Sequence, residues 1–80
     1  MKLYIGNIDY KVSEEDLALL FSPFATFSQI HVIRDNQTSK SKGFAFAVID
    51  NDIDAIKAMT ALNDSQYENR RLIVREAKKQ

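Results

Sequence analysis

The stretch Lys42-Gly43-Phe44-Ala45-Phe46-Ala47-Val48-Ile49 is where residue type and spacing could do chemistry. Aromatic and small residues alternate with period 2, the period of a β-strand. Phe44 and Phe46 therefore share one face, and Ala45, Ala47 and Ile49 the other. A strand apolar on both faces is ordinarily covered on both, and a chain of 80 residues has little material to do so. Two rings left facing solvent suit one task in particular, the stacking of flat nucleic-acid bases.

Composition narrows the alternatives. Eighty residues make one small domain with one core. The 45% hydrophobic and 28% charged content is that of an ordinary globular chain. There is no cysteine, which removes disulfides, thiolate metal sites and thiol catalysis. No apolar run approaches the roughly 20 residues that span a bilayer, so no membrane partner is expected. Strand-like sequence begins almost at Met1, and no signal or transit peptide is read; the expected location is cytoplasmic. The formal net charge is zero, which argues against strong electrostatic binding of a polyanion. Charge is nevertheless segregated along the chain. Glu14, Glu15 and Asp16 stand together, and Asp50, Asp52, Asp54, Asp64 and Glu68 face Lys57 alone. Residues 70–80 carry Arg70, Arg71, Arg75, Lys78 and Lys79 against Glu76, and residues 25–43 carry Arg34, Lys40 and Lys42 against Asp35.

The elements that must position the rings follow in order. Residues 3–6 read as a short strand with Leu3 and Ile5 on one side and Tyr4 and Gly6 on the other. Ser13 caps a helix whose first turn holds three acids, with Leu17, Leu20, Phe21 and Phe24 at helical spacing and Pro23 closing it near Phe21. Residues 27–34 form a second strand, Ile30 and Val32 inward, Gln29, His31 and Ile33 outward. Residues 35–41 are polar and aperiodic, expected to be a mobile loop. After the central strand, residues 50–52 cap a second helix with the apolar stripe Ala55, Ile56, Met59 and Leu62. Asn63 and Asp64, both tolerant of left-handed backbone, end it. Residues 65–69 form a turn with Tyr67 on the core. Arg71 to Arg75 is the last strand, Leu72 and Val74 inward, Arg71, Ile73 and Arg75 outward. Residues 78–80 are a short, frayed tail. The acids at both helix starts are expected to serve the helix dipoles on the far side of the sheet.

The order βαββαβ is a ferredoxin-like split βαβ in the α+β class: a four-stranded antiparallel sheet with two helices on one face. Two helices cover one face only. The other would hold Tyr4, Phe44, Phe46, His31, Ile33, Arg71, Ile73 and Arg75.

These residues resemble an RNA recognition motif (RRM) domain over residues 2–77. Lys42-Gly43-Phe44-Ala45-Phe46 matches the first five positions of the central-strand signature, the RNP motif. Ala47 stands in place of Val, and Ile49 in place of the final aromatic. Leu3-Tyr4-Ile5-Gly6-Asn7-Ile8 looks like the family's first-strand motif. Ala25 and Asn69 stand where the family often has Gly. The size is similar to that of small stand-alone single-RRM proteins. The resemblance implies a single-stranded RNA-binding module, with single-stranded DNA as an open second ligand. Tyr4 and Phe46 would each stack on a base, Phe44 would pack against the intervening sugars and Lys42 would meet a phosphate. Asn7, His31, Arg71 and Arg75 are the further candidate contacts. The expected state is a monomer without cofactor or metal. His31 has no evident second ligand, and no nucleophile–base pair points to an enzyme. The alternative is a protein- or peptide-binding module of the same family.

Overall fold

The structure is a computed structural model describing residues 1–77; the tail expected at 78–80 lies outside the described residues. The chain runs β1 (Lys2–Gly6), α1 (Glu14–Phe21), β2 (Gln29–Arg34), β3 (Ser41–Val48), α2 (Asp52–Leu62), β4 (Gln66–Tyr67), β5 (Arg70–Arg71) and β6 (Ile73–Glu76). β2, β3, β1 and β6 form one antiparallel sheet in that order, and β4 and β5 pair as a separate ribbon. The βαββαβ order and the four-stranded sheet match expectation.

The core lies between the helices and one sheet face. It joins Leu3, Ile5, Val32, Ala45, Ala47 and Val74 of the strands to Leu17, Phe21, Ala55, Ala58 and Leu62 of the helices. α1 begins with a reciprocal capping box, Asp16 N–H donating to Ser13 Oγ at 3.3 Å and Ser13 N–H to Asp16 Oδ2 at 3.0 Å. Ala25, at a position where the family favours Gly, is buried on the α1 exit turn, its N–H bonded to Phe21 O at 2.9 Å. Ile49 is buried, so the lost aromatic there concerns the core.

Several expectations need correction. α2 buries Ala55, Ala58 and Leu62 with Met59 half-buried, while Ile56 is 50% exposed. That stripe has spacing i, i+3, i+4, i+7, and Ile56 falls outside it. α2 ends at Asn63 and Asp64 as expected, with Asp64 the one of the two that takes the left-handed conformation. Asn63 Oδ1 instead accepts the N–H of Val74 at 2.9 Å. The loop expected at 35–41 is present as a hydrogen-bonded turn over 35–40, and Ser41 already belongs to β3. Asp35 Oδ1 accepts from Gln37 and Thr38 N–H, and these donors hold its carboxyl below the usual range. The last strand is broken. Glu68 (φ 51°) and Asn69 (φ 62°) make the two-residue left-handed turn that favours a tight hairpin. Arg71 consequently pairs with Gln66 in the ribbon, and only Ile73 to Glu76 join the sheet.

Glu14 also departs from a dipole-only role. It grips Arg34 with two 2.8 Å contacts and accepts the outward N–H of Val32 at 3.0 Å. The Arg34 guanidinium is the main reason its carboxyl falls to about 2. Glu14, from α1, and Asn63, from the end of α2, thus each accept a free N–H of an outer strand, Val32 of β2 and Val74 of β6.

Candidate nucleic-acid interface

Strand register assembles the open face. Tyr4 lies opposite Phe46 on β3 and Arg75 on β6, and Phe46 lies opposite His31 on β2. One row, His31–Phe46–Tyr4–Arg75, therefore crosses all four strands. The next row holds Phe44, Gly6 and Ile73. Tyr4, Phe44 and Phe46 form a triangle with centroids 5.8, 5.8 and 5.9 Å apart, tilted or edge-on to one another. Each ring is half-buried by leaning on the other two.

Two glycines place the rings. A Cβ on Gly6 would come within 2.6 Å of Tyr4 Cε2 and of its hydroxyl, so the Tyr4 ring lies over Gly6. Gly43 has φ +88°, a conformation that excludes most side chains. It sits in a bulge where Ile33 alone on β2 spans Lys42, Gly43 and Phe44 on β3. Ile8 N–H bonds Gly43 O at 3.0 Å, tying the bulge to the loop after β1.

Cations border the triangle. The Arg75 guanidinium lies 5.1 Å from the Tyr4 ring centroid, and Lys2 Nζ lies 4.9 Å from that of Phe46. Lys42 is exposed at the Phe44 end. His31 and Ile33 line a shallow recess beside Phe46 with Lys2. Asn7, left-handed at φ 57°, donates from Nδ2 to Arg71 O at 2.8 Å, and its Oδ1 receives Arg70 Nη1 at 3.4 Å. Asn7 thus clips the β4–β5 ribbon to the sheet. Arg71 is exposed in that ribbon, outside the four-stranded sheet, and Arg70 is the arginine that turns toward Asn7.

Sequence reasoning placed Tyr4, Phe44, Phe46, His31 and Arg75 correctly on one face and missed Lys2, Tyr10 and Arg70. Lys2 was legible, being two residues before Tyr4 on the same strand. Tyr10 lies in the turn after β1 and Arg70 in the two-residue strand β5, and neither stretch is long enough for periodicity to report direction.

The RNA recognition motif family profile matches residues 3–73. The chain belongs to the RNA recognition motif family. Among relatives, it is 32% identical over 78 residues to RbpA of Synechocystis, spanning 98% of this chain and 77% of that protein. It is 37% identical over 71 residues to Multiple RNA-binding domain-containing protein 1 of Saccharomyces cerevisiae, spanning 89% of this chain but only 8% of that one. The structure of RNA Binding Protein PG1 superposes with TM-score 0.94 at 38% identity, covering 100% of this chain and 96% of that one. The Rna15 RRM with bound RNA (GU) superposes with TM-score 0.87 at 28% identity, covering 98% and 83%. In this RRM the two signature strands, β1 and β3, are adjacent, and their aromatics form the triangle.

Proposed function

We propose that residues 1–77 act as one module that binds single-stranded RNA, stacking bases on Tyr4 and Phe46 with Phe44 beneath the sugars between them. The observation that carries this reading is the ring triangle on the helix-free face, bordered by Lys2, Lys42 and Arg75. A base presents a flat π face to any ring, and stacking is worth roughly 1–3 kcal/mol per base. Family membership and the RNA-bound Rna15 RRM at TM-score 0.87 support it. The role is binding without catalysis, and the capped outer strands favour a monomer. Two stacked bases and a few cations give an affinity around micromolar or weaker.

Amide NMR titration with a mixed-sequence pool of short RNA oligomers tests the proposal. Shifts centred on Tyr4, Lys42, Phe44 and Phe46, lost in Phe44→Ala/Phe46→Ala protein, are expected. A silent spectrum at high RNA concentration would overturn it and turn attention to protein partners. The same pool as DNA reports whether the 2′-hydroxyl is read.

A further inference from the structure

Beyond the triangle, at its Phe44 end, lies a cleft of about 320 Å³, within the lower part of the ~300–1,000 Å³ range of small-ligand sites. Tyr4 and Phe44 of the triangle line it together with Asn7, Tyr10, Lys42 and Arg70. Its lining contains two cations and no carboxylate. Tyr10 is 67% exposed, although it follows β1 by only four residues in a short loop. The Arg70 guanidinium carbon lies 5.8 Å from the Tyr10 ring centroid, and Asn7 Oδ1 receives its Nη1 at 3.4 Å. Arg70 is therefore held from two sides over a ring that the core does not use.

We propose that this cleft is a third nucleotide subsite, built by Tyr10 and Arg70, that takes a base continuing past Phe44; the inference rests on the RNA reading of the sheet. The physical fit is specific. A planar guanidinium stacked near an aromatic ring offers a flat cationic surface on which a base can lie. Lys42, at the boundary between cleft and triangle, is placed to meet the phosphate joining the second and third nucleotides. Asn7 Oδ1 accepts from Arg70 Nη1, so Asn7 is a positioning residue for the subsite. The two parts of the surface thereby divide: two bases on the sheet, a third on a platform made from the loop after β1 and from β5.

The test compares mixed-sequence RNA dinucleotides with tetranucleotides by amide and aromatic NMR titration. Wild-type protein should bind tetranucleotides more tightly, with Tyr10 ring signals moving only for the longer ligand. Tyr10→Ala should lower tetranucleotide affinity about tenfold and leave dinucleotide affinity within about twofold. Tyr10→Phe should retain the affinity, and Arg70→Ala should resemble Tyr10→Ala. Unchanged tetranucleotide affinity in Tyr10→Ala would overturn the subsite while leaving the sheet reading intact. An equal loss for both lengths would also overturn it, marking Tyr10 as a structural prop. Failure of wild-type protein to bind either length would overturn the RNA reading, and the subsite with it.

Discussion

The helix-covered and open faces of the sheet are drawn from alternate residues of the same strands, yet they invert the usual distribution of size. On β3 the small residues Ala45 and Ala47 are buried beneath the helices, and the large Phe44 and Phe46 face outward. On β1 the aliphatic Leu3 and Ile5 are fully buried while Tyr4 is turned away. The covered face gains its stability by excluding water from many modest side chains. The open face keeps its largest hydrophobic groups half in solvent, which lowers stability and leaves them available to a ligand. Stability and recognition are thus assigned to opposite sides of one backbone, and substitutions should separate them.

The covered face should yield the largest effect. Ile5→Ala removes a fully buried side chain and should cost about 2–5 kcal/mol of folding free energy, read by urea denaturation. Next, Phe46→Ala on the open face should cost about 1–3 kcal/mol of RNA affinity with a stability loss smaller than that of Ile5→Ala. Equal losses of stability from the two would erase the distinction. The sheet's outer strand supplies a third probe, independent of either face. Glu14 titrates near 2 in the folded protein and at 4.5 ordinarily. Its contribution is therefore complete above about pH 5 and is lost as pH falls toward 2. With the side chain 30% exposed, solvent screening leaves about 1–2 kcal/mol. Glu14→Gln should flatten that part of the stability profile and leave RNA affinity unchanged at neutral pH.

Two smaller effects refine the open face. Gly6→Ala should push the Tyr4 ring out of place and weaken RNA binding about threefold to tenfold, with Tyr4 ring shifts in the free protein as the direct readout. Affinity should fall with salt on a shallow logarithmic slope of about −1.5 to −2, as expected for two or three phosphate contacts on a single strand. A slope near zero would remove Lys2, Lys42 and Arg75 from the contact surface.

Much of this division was legible in the sequence because a strand's side-chain period is fixed by the backbone. Tyr4, Phe44 and Phe46 followed from alternation, whereas the adjacency of β1 and β3 that brings them together comes from the sheet order. The phase of α2 was harder to read. Its apolar residues include Ile53, Ala55, Ile56, Ala58, Met59 and Leu62, and alanine suits both a tight helix–sheet contact and solvent. The break before β6 was hidden in Glu68 and Asn69. Asn tolerates left-handed backbone, but Glu68 must adopt it as well as Asn69 for the tight hairpin that moves Arg71 off the sheet. Glu14 looked like a helix-start charge because its partners, Val32 N–H and Arg34, lie 18 and 20 residues away, and only tertiary structure joins them.

The cations resting on Tyr4 and Phe46 have a consequence for the protein at high concentration. A sticky aromatic surface invites a second copy to lie face to face, and a two-fold pairing would bring each such surface against its twin. Arg75 and Lys2 would then be crowded against their own counterparts, positive against positive, as the rings closed. A polyanion meets the same two side chains as attraction. If the surface binds RNA as proposed, the same two side chains that favour a negatively charged strand would oppose face-to-face pairing of two copies.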